Sequence, residues 1–192
     1  MLHTSERPSL RNFKKIAAGI RLDVLRDELS RNESAWKIST TRQDKIKCQR
    51  ETASIFLRTA DTGDGALKVE DIHAVKDAIA APMFPSTLAW LRSTGGVLGG
   101  ELDRVLFASL QPNGRVYRHV DAGKYYACRR RYHLIVNSAE GSPMVCGDEE
   151  IVMREGELWE FDNKQPHEAF NHASTPRVHL IFDLYHGDAA KL

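Results

Sequence analysis

The chain has 192 residues, 42% hydrophobic and 28% charged, with a formal net charge of +1. That length suits one domain with its own core, and the small net charge removes any electrostatic case for nucleic acid or an anionic membrane as partner. No apolar run approaches the roughly 20 residues of a membrane span, and the first eight residues lack the apolar stretch of a secretory signal. Cys48, Cys128 and Cys146 are widely spaced and odd in number. They fit neither a thiolate zinc site nor a disulfide framework, so a reducing cytoplasm is the expected compartment.

Helical patterns dominate up to about residue 100. Leu22, Leu25 and Leu29 recur at helical spacing, predicting an amphipathic helix over 21–31. Residues 54–57 read as a strand. Asp61-Thr62-Gly63-Asp64-Gly65 is a turn-rich loop that makes a poor calcium loop, because Ile72 stands where the closing Glu is needed. A second helix is predicted over 70–79, with Ile72, Val75, Ala78 and Ile79 on one face. A third starts at Ser86 as N-cap, carries Leu88, Trp90 and Leu91, and stops at Gly95-Gly96.

After residue 100 the pattern changes to short strands divided by turns. Strands are predicted over 105–110, 116–119, 133–136, 144–146, 150–153, 158–161, 167–170 and 178–184. Pro112-Asn113-Gly114, Asn137-Ser138, Gly141-Ser142-Pro143 and Gly147-Asp148 supply turns between them. This predicts a mainly β fold with flanking helices, a jelly roll or double-stranded β-helix of cupin-like form. The whole chain is read as one domain. A helix-rich part over 1–100 braces the barrel and shapes the substrate pocket, and the catalytic core spans 101–187.

His119-Val120-Asp121 ends one predicted strand, and His167 opens a later one behind Pro166, whose ring fixes the backbone before it. Side chains two apart on a strand share a face, so His119 and Asp121 project together. Two imidazoles and one carboxylate in this arrangement fit a facial triad for Fe(II), with the opposite coordination positions left open. HxD alone is a weak signal, and a surface histidine beside a turn is the plainer alternative; the strand context raises it above that.

Arg131 and His133 share one face of their strand, and Tyr132 and Leu134 the other. A cation and an imidazole on an inward face require something anionic between them. Arg129 and Arg130 are read as a solvated basic loop. On the last strand Arg177, His179, Ile181 and Asp183 share a face. The planar fork of Arg177 suits a bidentate grip on a dicarboxylate, with a surface ion pair as the alternative. His179 either lines the pocket or is a hydrogen-bonded core residue. His3, His73, His172 and His186 are expected on the surface, and Trp36, Trp90 and Trp159 in the core.

These residues carry a resemblance. His119-Val120-Asp121, Arg131-Tyr132-His133-Leu134-Ile135-Val136, Gly156-Glu157-Leu158-Trp159-Glu160-Phe161-Asp162-Asn163, His167-Glu168 and Arg177-Val178-His179-Leu180-Ile181-Phe182-Asp183 resemble the aspartyl/asparaginyl β-hydroxylase family of Fe(II)- and 2-oxoglutarate-dependent oxygenases. Asn12-Phe13-Lys14-Lys15-Ile16 and Ser54-Ile55-Phe56-Leu57-Arg58 resemble its smaller, stand-alone bacterial and phage members. The resemblance implies a double-stranded β-helix in which His119, Asp121 and His167 hold the iron. Arg177 would bind the distal carboxylate of 2-oxoglutarate, and Arg131 and His133 its chelating end. The chain departs from the family's animal enzymes at Asp121, where they have glycine, and at Ala108, where they have a serine that assists the arginine.

The activity implied is hydroxylation of an unactivated C–H of an amino acid, free or within a peptide or protein, with a lipid acyl chain as the alternative substrate, O2 being consumed and 2-oxoglutarate decarboxylated to succinate. Two alternatives share the barrel: a cupin-type metal enzyme that does not use 2-oxoglutarate, and a non-catalytic cupin-like sensor of small acids. Neither the substrate nor the oligomeric state is legible.

Overall fold

The computed structural model describes residues 10–60 and 75–187. Its strands are β1 (Phe13–Ala17), β2 (Thr52–Thr59), β3 (Lys76–Asp77), β4 (Glu101–Leu110), β5 (Arg115–His119), β6 (Arg129–Asn137), β7 (Pro143–Cys146), β8 (Glu149–Val152), β9 (Leu158–Phe161), β10 (His167–Phe170) and β11 (Arg177–Tyr185). The helices are α1 (Asp23–Arg31), α2 (Thr41–Lys45), α3 (Pro85–Val97) and α4 (Lys124–Ala127), with short 3-10 turns at Glu33–Lys37, Lys47–Gln49 and Ala81–Met83.

The strands form a seven-stranded sheet, ordered β1-β9-β6-β11-β4-β2-β3, and a four-stranded sheet, ordered β5-β10-β7-β8. From β4 to β11 the chain passes back and forth between the two, and neighbouring strands are antiparallel. This is the double-stranded β-helix expected, with the predicted strands lying on β4–β11. The turn from β4 to β5 uses Asn113 at φ 57°. A Cβ on Gly114 would come within 2.9 Å of the Gln111 carbonyl, so glycine is required for the return.

Strand alternation sorts the large sheet into two chemistries. Tyr132, Leu134 and Val136 of β6 and Leu180, Phe182 and Leu184 of β11 face a core shared with Leu22, Leu25, Phe84, Leu88 and Leu91. Each such Leu or Phe contributes about 1.5–3 kcal/mol when fully buried, so the helices are held on this side. The opposite face looks into the barrel. There Ile135, Trp159 and Phe161 pack against Met144, Cys146 and Ala169 of the small sheet, and polar residues fill the remaining inward positions.

Several local expectations are corrected. Helix α3 begins with Pro85, and Phe84, not Ser86, holds the N-cap position without a side-chain cap. Its free N–H groups are satisfied from α1: Ser86 and Thr87 donate to the Glu28 carboxylate at 2.8 and 2.9 Å. The helix also runs through Gly95-Gly96 to Val97. A Cβ on Gly95 would stand 3.3 Å from Leu184, so this glycine permits close packing on the sheet instead of ending the helix. Loop 61–65 and the first half of the predicted second helix, 70–74, lie outside the described residues; the second half, 75–79, is not helical, since Lys76–Asp77 is a strand that pairs with Arg58 and Thr59. Strand β1 was not predicted; it pairs with β9, Phe13 opposite Phe161. Arg129 is no solvated loop residue, being 2% exposed and bonded to the Asp103 carboxylate. The cysteines are free. Among the described residues no helix is long and apolar enough to cross a membrane.

Candidate active site

His119, Asp121, Arg131, His133, His167 and Arg177 all line one cavity inside the barrel. The cavity is open to solvent on one side, and its wall mixes these polar groups with apolar side chains such as Val116, Met144, Phe161 and Ile181, the lining expected of a small-molecule site.

Sheet register builds the first part. The pairing of β5 with β10 sets His119 directly opposite His167, with ring centroids 4.2 Å apart. His119 Nδ1 donates to the Tyr117 carbonyl at 2.7 Å, and His167 Nδ1 to the Gln165 carbonyl at 2.9 Å. Each ring is thereby oriented with Nε2 as its lone-pair nitrogen, the usual outer support of metal-binding histidine; in His119 that nitrogen accepts from Gln49 Nε2 at 3.3 Å, a contact a metal there would replace. Burial, then the neighbouring His119, holds His167 down at about 4, so it is neutral at pH 7.

Asp121 arrives by a different route. It lies beyond the end of β5, so strand alternation does not place it. Its backbone N–H donates to the Asn163 carbonyl at 3.0 Å. Its Oδ2 accepts from Asn163 Nδ2 at 2.9 Å and from Arg131 Nη1. That leaves Oδ1, 3.9 Å from His119 Nε2. Burial favours the neutral acid, but Arg131, His167 and Asn163 outweigh it and hold the carboxyl at about 2. One ligand atom each from His119, Asp121 and His167 lies within 4.8 Å of the others. Two imidazole nitrogens and a carboxylate oxygen suit a divalent ion such as Fe(II), so the residues present fit that metal.

The rest of the inner face is organised by two arginines. Arg131 makes a bidentate pair with Asp183, Nε at 2.8 Å and Nη2 at 2.9 Å, besides its bond to Asp121. Tyr125 adds a hydroxyl donor to Asp183 at 3.2 Å. Arg177 is as deeply buried, at 5% exposure, yet faces no carboxylate among the described residues. Its Nε donates to His179 Nε2 at 3.0 Å, and burial lowers its guanidinium to about 10.

That bond has a further effect. Arginine can only donate, so His179 accepts at Nε2. Burial first, then the adjacent arginines, holds both His179 and His133 well below the usual imidazole range, so both rings are neutral. His179 then carries its proton on Nδ1 and donates to His133 Nδ1 at 3.0 Å. The proton of His133 is left on Nε2. His179 thus lines the pocket and is hydrogen-bonded as well.

Asn163, Asp183 and Gln49 were not singled out for these roles. Asp183 was visible in the alternation of β11. Nothing local marks Asn163 or Gln49, which reach the site through long-range folding.

Comparison with known proteins agrees with this architecture. The family model described as aspartyl/asparaginyl beta-hydroxylase matches residues 21–187. The chain belongs to that family. The aspartyl/asparaginyl beta-hydroxylase of Mus musculus is 29% identical over 159 residues, 80% of this chain and 21% of the mouse protein. The chain thus spans about a fifth of that relative's length. Among solved structures, an oxidoreductase of the 2OG-Fe(II) oxygenase family from Burkholderia pseudomallei superposes with a TM-score of 0.59 at 13% identity, covering 84% of this chain and 79% of its own. A Pseudomonas putida prolyl-4-hydroxylase gives 0.53 at 18% identity, covering 92% and 93%. At these identities the two structures support the fold. This member of a hydroxylase family therefore has the double-stranded β-helix of 2OG-Fe(II) oxygenases.

Proposed function

We propose that the protein is an Fe(II)- and 2-oxoglutarate-dependent hydroxylase of an amino acid, free or in a peptide. His119, Asp121 and His167 would hold the metal, Arg177 and His133 would receive the cosubstrate, and Arg131, which the resemblance places at its chelating end, would act through Asp121 instead. The bound metal with 2-oxoglutarate supplies O2 activation coupled to release of succinate and CO2.

The observation that carries the reading is Arg177. A buried guanidinium with no counter-ion is costly to maintain, and a dicarboxylate provides one. With Nε committed to His179, its terminal nitrogens remain for a carboxylate fork. A metal enzyme that does not use 2-oxoglutarate has no need of this cation. The His133 Nε2–H is a second donor on the same strand pair, since His133 stands opposite Ile181 of β11. Arg131 acts by holding Oδ2 of Asp121, which presents Oδ1 to the metal.

The test is an anaerobic titration of metal-free protein with Fe(II), then 2-oxoglutarate, watching for the visible charge-transfer band of the chelate. The band should form, and His167→Ala should abolish both it and iron binding. Iron binding without a band would remove 2-oxoglutarate from the function and favour a cupin-type metal enzyme or a sensor.

A further inference from the structure

The proposed metal and cosubstrate sites leave part of the cavity wall without a task. Arg42 of α2, Gln49 of the 3-10 turn Lys47–Gln49 that follows α2, and Arg104 of β4 all line it. Arg42 Nη1 donates to Ser54 Oγ at 3.2 Å. Arg104 Nη1 donates to the Tyr126 hydroxyl at 3.1 Å, and its guanidinium lies 5.5 Å from the centre of the Phe56 ring. Neither guanidinium meets a carboxylate among the described residues. The nearby Asp121 is already taken by Arg131 and Asn163. Burial, then the like charges of Arg104 and Arg131, lowers the Arg42 guanidinium to about 9.

Gln49 supplies an independent observation. It is 5% exposed, and its Nε2 lies 3.3 Å from His119 Nε2, beside the proposed metal. Its buried Oε1 has no hydrogen-bond partner. An orphaned buried acceptor costs about 1–3 kcal/mol until a donor reaches it.

An anion would satisfy the two arginines, and an N–H donor would satisfy Gln49. Both features belong together in a molecule carrying a free carboxylate and an amino group. Resting on the hydroxylase reading above, we propose that Arg42, Arg104 and Gln49 form the substrate site for a free amino acid. The carboxylate lies between Arg42 and Arg104, and the amino group donates to Gln49 Oε1. Inorganic phosphate would answer the arginines but brings no cationic ammonium group to Gln49 Oε1, so the charged N–H donor is what distinguishes an amino acid from it. An amino acid inside a chain would bring no free α-carboxylate.

The experiment uses the full chain loaded with Zn(II), which is redox-inert, together with 2-oxoglutarate. Each free L-amino acid, its carboxamide and inorganic phosphate are compared by thermal shift, followed by calorimetry of any that bind. At least one acid should bind, and its carboxamide should bind at least about tenfold more weakly, as expected for loss of a charge-assisted fork. Arg42→Met and Arg104→Met should erase that preference, and Arg104→Lys should keep part of it. Gln49→Leu should weaken the acid and the carboxamide equally. Absence of acid binding, equal binding of acid and carboxamide, or phosphate binding as tightly as the best acid would overturn the assignment. Titration of 2-oxoglutarate alone into the same protein tests the cosubstrate reading separately. Failure there with a surviving acid preference would sink the cosubstrate and keep the amino-acid site.

Discussion

The two buried arginines on the inner face of the barrel are built to opposite specifications. Arg131 is answered on three nitrogens by Asp183 and Asp121. Arg177, on the neighbouring strand, is answered only by a neutral imidazole. The first is a closed structural group, its charge spent inside the fold. The second is an open one, for which the proposed cosubstrate would be the counter-ion. Burial alone does not separate them, since they are 7% and 5% exposed; the partner list does.

Breaking the closed group should have the largest effect on stability. Arg131→Met leaves Asp183 and Asp121 without their cation, and uncovering a buried charge in this way costs about 3–5 kcal/mol. Urea unfolding should show it, with the metal site lost as well. Breaking the open group should barely touch folding. Arg177→Met removes an unpaired buried cation, so stability should stay within about 1 kcal/mol of the parent. Affinity for 2-oxoglutarate, measured by calorimetry, should fall by about 1.5–3 kcal/mol, roughly ten- to a hundredfold. If both variants unfold alike, the distinction between them is wrong.

A smaller effect tests how the open group is aimed. His179→Leu should weaken 2-oxoglutarate by about 1 kcal/mol, while His179→Gln, which can still accept from Arg177, should recover part of the loss. Nitrogen NMR of the imidazoles in the metal-free protein should show His133 protonated on Nε2 in the parent and a changed tautomer balance in His179→Leu. Near neutrality the mildest probe is pH. His133 and His179 are neutral when folded, whereas in the unfolded chain they titrate near about 6.5. As pH falls through that value the unfolded state takes up protons that the fold refuses, so stability drops on the acid side. The loss should grow toward pH 4, near which the folded His167 also titrates. A flat stability profile between pH 7 and 5 would contradict neutral buried imidazoles.

Much of the barrel was legible in the chain because each strand writes its two faces in alternate residues. Arg131 with His133, and Arg177 with His179 and Asp183, were placed together by that period alone. The histidines of the triad were legible for a related reason: each sits at a strand terminus, and sheet register then opposes them. Asp121 was found by spacing but is held for another reason, by Asn163 and Arg131. The glycines of α3 misled, because glycine serves both as a stop and as a close-packing contact, and only the position of Leu184 tells which.

By itself, then, the sequence determined the strand pattern, the inward positions and the donor types, since period and side-chain chemistry are local properties. Only the tertiary structure decided which arginine is neutralised and which is left open. It also decided that Glu28 caps α3 from another helix, and that Arg42 and Gln49 reach the cavity. Those outcomes depend on partners far apart in the chain, and a buried charge acquires its role from whatever folding places beside it.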